Sequence, residues 1–334
     1  MATIYDVAAL AGVSPATVSR VLNGRSVSPD KERLVLDAAE ELSYTPNRVA
    51  RTLRRQLSEV VALVIPDIEN PFFTSLARGV ADTAQQAGFS VVLCNTDGDL
   101  AKEQHFLDIV VSENMAGVVL VPAASTSDVQ FLLDRGRAVV TVDRPITTAE
   151  VDSVVIDNVA AGRAATQALW EAGFRDIACI TGPADIVTAV DRGRGWRQAL
   201  DDLAPGSGAA SRLVHADFRV GGGRACMTEL LNMDDRPDAV VAGNNLVGVG
   251  ALQVLHERGL TAADVGVAVI GDLPFSAHAQ EVPVVALPTR AMGTTAGGLL
   301  LERITGHAGP ARRVVIPGEL RAAGPAAAGV PRRT

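Results

Sequence analysis

The sequence predicts a small all-α helix-turn-helix head followed by an α/β two-lobed body built on parallel sheets. Three observations point there. Apolar residues recur at helical spacing from Thr3 to Asn23 and are interrupted at Gly12 and Ser14-Pro15. From Val60 onward, short β-branched runs alternate with helical stretches. Two phrases recur, QAGFSVVLC at Gln86–Cys94 and EAGFRDIACI at Glu171–Ile180, each a helix closed by Gly and followed by a strand.

In the head, Ile4, Val7, Ala8, Leu10 and Ala11 follow a Thr3 cap, and Gly12 closes that first helix. Ser14-Pro15 opens the second, because proline lacks the N–H that a first-turn position leaves unpaired. Ser28-Pro29 and Thr45-Pro46 repeat the signal, so four short helices are expected. In the second helix Val18, Val21 and Leu22 point inward, which turns Pro15, Ala16, Thr17, Ser19, Arg20 and Asn23 outward as one polar face. That face suits a DNA major groove. Arg20 can fork onto guanine, Thr17 and Ser19 can meet phosphates or base edges, and Ala16 can touch a thymine methyl. The alternative is an ordinary surface helix pair.

In the body the expected strands are VVALVI, SVVLC, GVVLV, AVVTV, VVI, IACI, AVVA, VAVI, VVAL and RVVI, alternating with helices as in parallel α/β sheets. The expected division is a head at 1–45, a hinge at 46–58 and a body at 59–334. Within the body, the N-lobe takes 59–157 plus 287–312 and the C-lobe 158–286 plus 313–334.

At 334 residues and 48% hydrophobic content the chain can bury a substantial core, so disorder is excluded. Its net charge of -8 is unevenly divided, with +2 on residues 1–58 and -10 on the remainder. An acidic body on a mildly basic head confines DNA contact to the head. A basic-then-apolar leader and a run of about 18 apolar residues are both lacking, so a cytoplasmic location without a membrane partner is expected. Cys94, Cys179 and Cys226 lack metal-ligand spacing, and the five histidines are scattered. No dinucleotide, P-loop or zinc-protease motif occurs. No enzyme activity, metal or cofactor is therefore expected.

The blocks YDVAALAGVSPATVSRVLNG and LSYTPNRVARTL, and most of the chain beyond them, resemble the LacI/GalR family of bacterial transcription repressors. The resemblance implies a periplasmic-binding-protein-like body and a head that reads double-stranded, pseudo-palindromic operator DNA. It also implies that Asn47–Arg55 forms a hinge helix on DNA and that Leu53 wedges into the minor groove. The charges agree: Arg48, Arg51, Arg54 and Arg55 crowd together with no acid between Asn47 and Ser58, so self-repulsion opposes this helix until phosphates neutralise it. Packing on the head or body is the alternative for Leu53. The candidate DNA contacts are Tyr5, Ser14, Pro15, Ala16, Thr17, Ser19, Arg20 and Asn23, with Asn47, Arg48, Ala50, Leu53 and Arg54 in the hinge. Half-sites related by two-fold symmetry call for a homodimer. The tail from Ala322 has no leucine heptads.

By the same resemblance a small-molecule effector, a carbohydrate above all, binds between the lobes and alters operator affinity. Phe72 or Phe73 would line one wall, Arg192 would fork onto ligand oxygens, Phe218 would stack on the ligand, and Asn244 and Asp157 would complete the polar contacts. Core packing is the alternative for the two N-lobe phenylalanines, and a surface pair with Asp191 for Arg192. Trp196 reads as core. One segment departs from the family pattern: after VAVI the usual Gly-aromatic-Asp-Asp is replaced by Ile270-Gly271-Asp272-Leu273-Pro274-Phe275, where Gly271-Asp272 stands two residues short, so Asp272 either binds the effector or matches the second, non-binding Asp. Asn245 replaces a usual Asp. A solute-binding protein and an α/β enzyme are the competing classes.

Arg20→Ala is expected to cost about 1–3 kcal/mol of discrimination between operator and random duplex. Competition binding on both DNAs checks this, and equal loss on the two would rule out base reading by Arg20.

Overall fold

A computed structural model of the protein describes residues 2–22, 27–42, 44, 58–205, 212–261, 263–273 and 282–323. The chain divides into two compact units, 1–58 and 59–334.

The first unit carries helices α1 (Ile4–Leu10), α2 (Pro15–Leu22) and α3 (Pro29–Glu41). Thr3 caps α1 reciprocally: the Asp6 N–H donates to Thr3 Oγ1 at 3.4 Å, and the Thr3 N–H donates to the Asp6 carboxylate at 2.7 Å. Gly12, at φ +64°, takes the left-handed turn that a side chain would strain. Val7, Ala8, Ala11, Val18, Val21, Val35 and Ala38 close the core between the helices. The helix expected from Thr45-Pro46, the hinge at 46–57 and Asn23, Asn47, Arg48, Ala50, Leu53 and Arg54 lie outside the described residues.

The second unit runs β1 (Val60–Ile65), α4 (Pro71–Gln86), β2 (Ser90–Asn95), α5 (Leu100–Ser112), β3 (Gly117–Leu120), α6 (Gln130–Leu133), β4 (Ala138–Val142) and β5 (Asp152–Ile156). It continues through α7 (Asn158–Glu171), β6 (Ile177–Thr181), α8 (Val187–Leu203), β7 (Leu213–His215), α9 (Val220–Leu231), β8 (Ala239–Ala242) and α10 (Asn245–Glu257). Last come β9 (Gly266–Ile270), β10 (Val284–Ala286), α11 (Thr289–Ile304), β11 (Arg313–Ile316) and β12 (Glu319–Arg321). The strands form two six-stranded sheets, ordered β11-β5-β4-β3-β1-β2 and β12-β10-β9-β8-β6-β7. All pairings are parallel except β10 with β12. Gly88 and Gly173, at φ +82° and +97°, end the helices of the two recurring phrases as expected.

The strand at 313–316 corrects the expected boundary. The expected division gives it to the C-lobe, but β11 pairs with β5 in the first sheet, with Val314 opposite Val154. Only β12 joins the second sheet. The reason is the chain path. The ends of β5, β10 and β11 all lead to a crossing between the lobes, whereas β12 starts from one, so it must run against β10. The two strands not expected, β7 and β12, are three residues each, and β12 is exposed along its length.

Within each lobe the helices pack backbone to backbone. A Cβ on Gly79 of α4 would fall 2.2 Å from the Arg290 carbonyl oxygen, and one on Gly293 of α11 would fall 2.1 Å from that of Leu76. In the C-lobe the same reciprocity joins Gly162 of α7 and Gly195 of α8, at 2.1 Å from Arg192 O and 2.0 Å from Val159 O.

Asp152, whose side chain has no exposure, locks the late strand to the first lobe. Its carboxylate receives Arg303 Nη2 at 2.8 Å, Arg312 Nη2 at 3.0 Å and the Arg312 backbone N–H at 2.7 Å. Burial opposes its ionisation, but the two guanidiniums outweigh that and hold the carboxyl well below the usual carboxylate range. Because the folded pKa is depressed, this stabilisation is present above the unfolded value of about 3.9 and is lost as pH falls below it. Asp152→Asn is expected to cost about 3 kcal/mol at pH 7 in denaturant unfolding, with a smaller penalty at pH 3.

Candidate effector cleft and DNA-reading face

The carboxyl ends of the strands in both lobes open onto one cavity of about 740 Å³, lined from each side. This volume is within the usual range for small-molecule sites. On the N-lobe side Asn70 caps α4, its Oδ1 accepting the Phe72 N–H at 3.0 Å, and Pro71 opens the helix. The cap delivers Phe72 and Phe73 to the cleft as a T-shaped pair with centroids 5.0 Å apart. Phe73 is buried and Phe72 half-buried, so both core packing and cleft lining hold for this pair.

Arg192 lies on the floor at 5% exposure. Its Nε donates to Asn158 Oδ1 at 2.8 Å and its Nη1 to Gly243 O at 2.7 Å. Burial lowers its pKa, Asp143 raises it and Arg144 lowers it further, and an arginine so placed remains a cation. The surface pair with Asp191 is made by Arg194, at 3.1 Å, which leaves Arg192 to the cleft. Across the cavity the end of β4 contributes Asp143 and Arg144, both buried, with Asp143 in the left-handed region at φ +67°. Arg144 Nη1 donates to Pro122 O at 3.1 Å, whereas Nε lies 3.5 Å from the Asp143 carboxylate without making a hydrogen bond.

Phe218 is the C-lobe wall. It is held at φ +61°, a conformation that bulky residues rarely adopt. Asp217 accepts the Arg219 N–H at 3.0 Å, and Asn244 Nδ2 donates to Phe218 O at 2.9 Å, so the turn is pinned on both sides. The ring lies over Gly182, where a Cβ would come within 2.1 Å of it. Asn244 also caps α10, accepting the Val247 N–H at 2.8 Å.

One expected contact, Asp157, is altered, and Asp272 has a second partner. Asp157 does not line the cavity; it is the N-cap of α7 and accepts the Ala160 N–H at 2.9 Å. The helix's unpaired amides consume the first polar side chain after β5, and the next residue, Asn158, turns inward to Arg192 instead. Asp272 does line the cavity, and its Oδ1 accepts Arg321 Nη1 at 2.9 Å.

In the head, α2 buries Val18 and Val21 and exposes Ala16 and Arg20, with Pro15, Thr17 and Ser19 half-exposed. Ser14 starts the helix, with its Oγ 3.2 Å from the Thr17 N–H and 3.0 Å from Thr17 Oγ1. Tyr5 is 70% exposed on α1.

The profile described as "Bacterial regulatory proteins, lacI family" matches residues 3–47, and "Periplasmic binding proteins and sugar binding domain of LacI family" matches residues 58–323. This chain belongs to the LacI family. It is a ligand-binding regulator of transcription. It is 38% identical to the HTH-type transcriptional regulator CelR of Thermobifida fusca, over 94% of this chain and 95% of that one. To the ribose operon repressor of Halalkalibacterium halodurans it is 37% identical, over 79% of this chain and 78% of that one. Among solved structures, a CelR–cellobiose complex aligns with TM-score 0.72 at 34% identity, covering 96% and 99% of the two chains. A lac repressor dimer bound to operator and the anti-inducer ONPF aligns with TM-score 0.81 at 25% identity, covering 96% and 97%.

Within this LacI-family cleft, Phe72, Phe73, Arg192, Phe218, Asn244 and Asp272 line one cavity. Asn70, Asp143, Arg144 and Asn245 line it too, although they are not among the expected contacts. The rule that singles out the others, polar residues directly after a strand, also applies to Asp143 and Arg144 at the end of AVVTV.

Gly182→Ala is expected to displace the Phe218 ring and cost about 1–3 kcal/mol by overcrowding. In a Phe218→Ala background the same change should cost less than half as much. Denaturant unfolding of the four proteins checks the coupling, and equal costs in both backgrounds would exclude the ring as the obstacle.

Proposed function

We propose that this chain is an operator-binding repressor that works as a homodimer and whose effector is a carbohydrate held between the lobes. The observation that carries the carbohydrate reading is the pairing of aromatic walls from both lobes, Phe72 and Phe73 against Phe218, around the buried cations Arg192 and Arg144. Ring faces suit the C–H faces of a sugar, and guanidinium forks suit its hydroxyl oxygens. The relatives support the same class, since one repressor is named for the ribose operon and one neighbouring structure is a cellobiose complex.

Operator reading rests on the α2 face, with Ala16 and Arg20 exposed. The homodimer is supported by the edge strand β2, where Val92 and Leu93 are each 40% exposed on an unpaired edge. Ligand that binds one relative arrangement of the lobes better than another biases the register of two heads, and so operator affinity.

Thermal unfolding with D-ribose, D-glucose, cellobiose and their phosphates tests the effector class. A ligand at about 100 times its Kd should add roughly 2.7 kcal/mol of stability. The expected result is one stereospecific hit that then changes affinity for a duplex selected from a random pool. Stabilisation only by nucleobases or amino acids would overturn the carbohydrate reading.

A further inference from the structure

The two aromatic walls are joined by one buried amide pair. Asn245 Nδ2 donates to Asn70 Oδ1 at 3.1 Å, linking residues 175 positions apart and on opposite lobes. It joins side chain to side chain across the cleft, away from the chain crossings. Both side chains are buried, at 7% exposure for Asn70 and 6% for Asn245.

The direction of this bond follows from the helix cap. Asn70 Oδ1 already accepts the Phe72 N–H, a group that can only donate, so the oxygen must face α4 and Asn245 must present its amide hydrogens. Asn70 thereby sets the start of the helix that carries Phe72 and Phe73. On the other side Asn245 is the first residue of α10, next to the Asn244 cap that grips the Phe218 carbonyl. One short chain of hydrogen-bonded groups thus runs from the N-lobe aromatic pair to the turn holding the C-lobe ring.

We infer that Asn245 is a positioning residue of the effector cleft: by donating to Asn70 it latches the two lobes and sets the separation of the aromatic walls. The functional consequence rests on the effector reading proposed above, whereas the latch itself does not. The latch is polar in the sense that donor and acceptor cannot be exchanged. At position 70 an aspartate still accepts both hydrogens and still caps α4, so Asn70→Asp keeps the bond. At position 245 an aspartate offers only acceptors to an acceptor, so Asn245→Asp breaks it. Helix energetics alone predict that Asn245→Asp is tolerated as well, because an acidic residue in the first turn of α10 is favoured by the exposed N–H groups. The two readings therefore differ in sign.

The test uses full-length chains carrying spin labels at exposed cysteines introduced at Ala101 in the N-lobe and Glu229 in the C-lobe, diluted with unlabelled protein so that distances are read within one chain. The three native cysteines are buried. Asn245→Asp is expected to lengthen and broaden the interlobe distance and to lower the melting midpoint, while Asn70→Asp reproduces the parent in both. An Asn245→Asp protein with the parent's distance distribution and melting midpoint would overturn the latch. The same proteins are then titrated with D-ribose and cellobiose. For whichever sugar the parent binds, Asn245→Asp is expected to raise Kd about tenfold and Asn70→Asp less than twofold. If the parent binds neither sugar, those two effectors are excluded, and the distance and melting measurements still decide the latch.

Discussion

A guanidinium deep in a cleft stays charged only if acceptors replace the water it has lost, and the cleft of this protein is organised around that constraint. Arg192 is held by Asn158 from the start of α7 and by the Gly243 carbonyl at the end of β8. Those acceptors follow β5 of the first sheet and β8 of the second, so the floor forms only when both sheets are assembled. The close approach of Gly162 to the Arg192 carbonyl fixes the helix that carries the side chain. Sheet order, helix contact and cleft chemistry are in this way one arrangement.

The polar chemistry of the cleft is built from helix starts. Asn70, Asp157 and Asn244 each cap a helix that follows a strand, and each does so with a side-chain oxygen. What differs is the work left over after capping. Asn70 Oδ1 accepts a second hydrogen from Asn245 and Asn244 Nδ2 donates to the Phe218 carbonyl, whereas Asp157 serves the cap. At position 244 an amide both accepts from the helix and donates to the Phe218 turn, work that a carboxylate there could not do.

Much of the fold was legible in the sequence because its signals are local. Thr3, Gly12 and Ser14-Pro15 mark helix ends through groups within four residues of them. The ten expected strands likewise declare themselves by β-branched runs. Which sheet a strand joins is not local: RVVI at Arg313–Ile316 has the same pattern in either lobe, and its place follows from the ion pairs that Asp152 makes with Arg303 and Arg312. The cleft shows the same division. Phe72, Phe73, Arg192, Phe218 and Asn244 were readable from position after strands and from family resemblance. Asp157 was not, since capping and lining compete for one side chain and the turn geometry decides between them. The Asn70–Asn245 pair was not either, because nothing in a linear text couples positions so far apart.

The glycine contacts in each lobe carry a mechanical consequence. Helices whose backbones touch, as α4 does α11 and α7 does α8, have no side-chain layer between them to shear or compress. Each lobe is therefore stiff, and strain introduced at the cleft cannot be absorbed inside it. Displacement is channelled into the three chain crossings between the lobes, after β5, β10 and β11. The body acts as a pair of levers, with its glycines as the reason the arms do not bend.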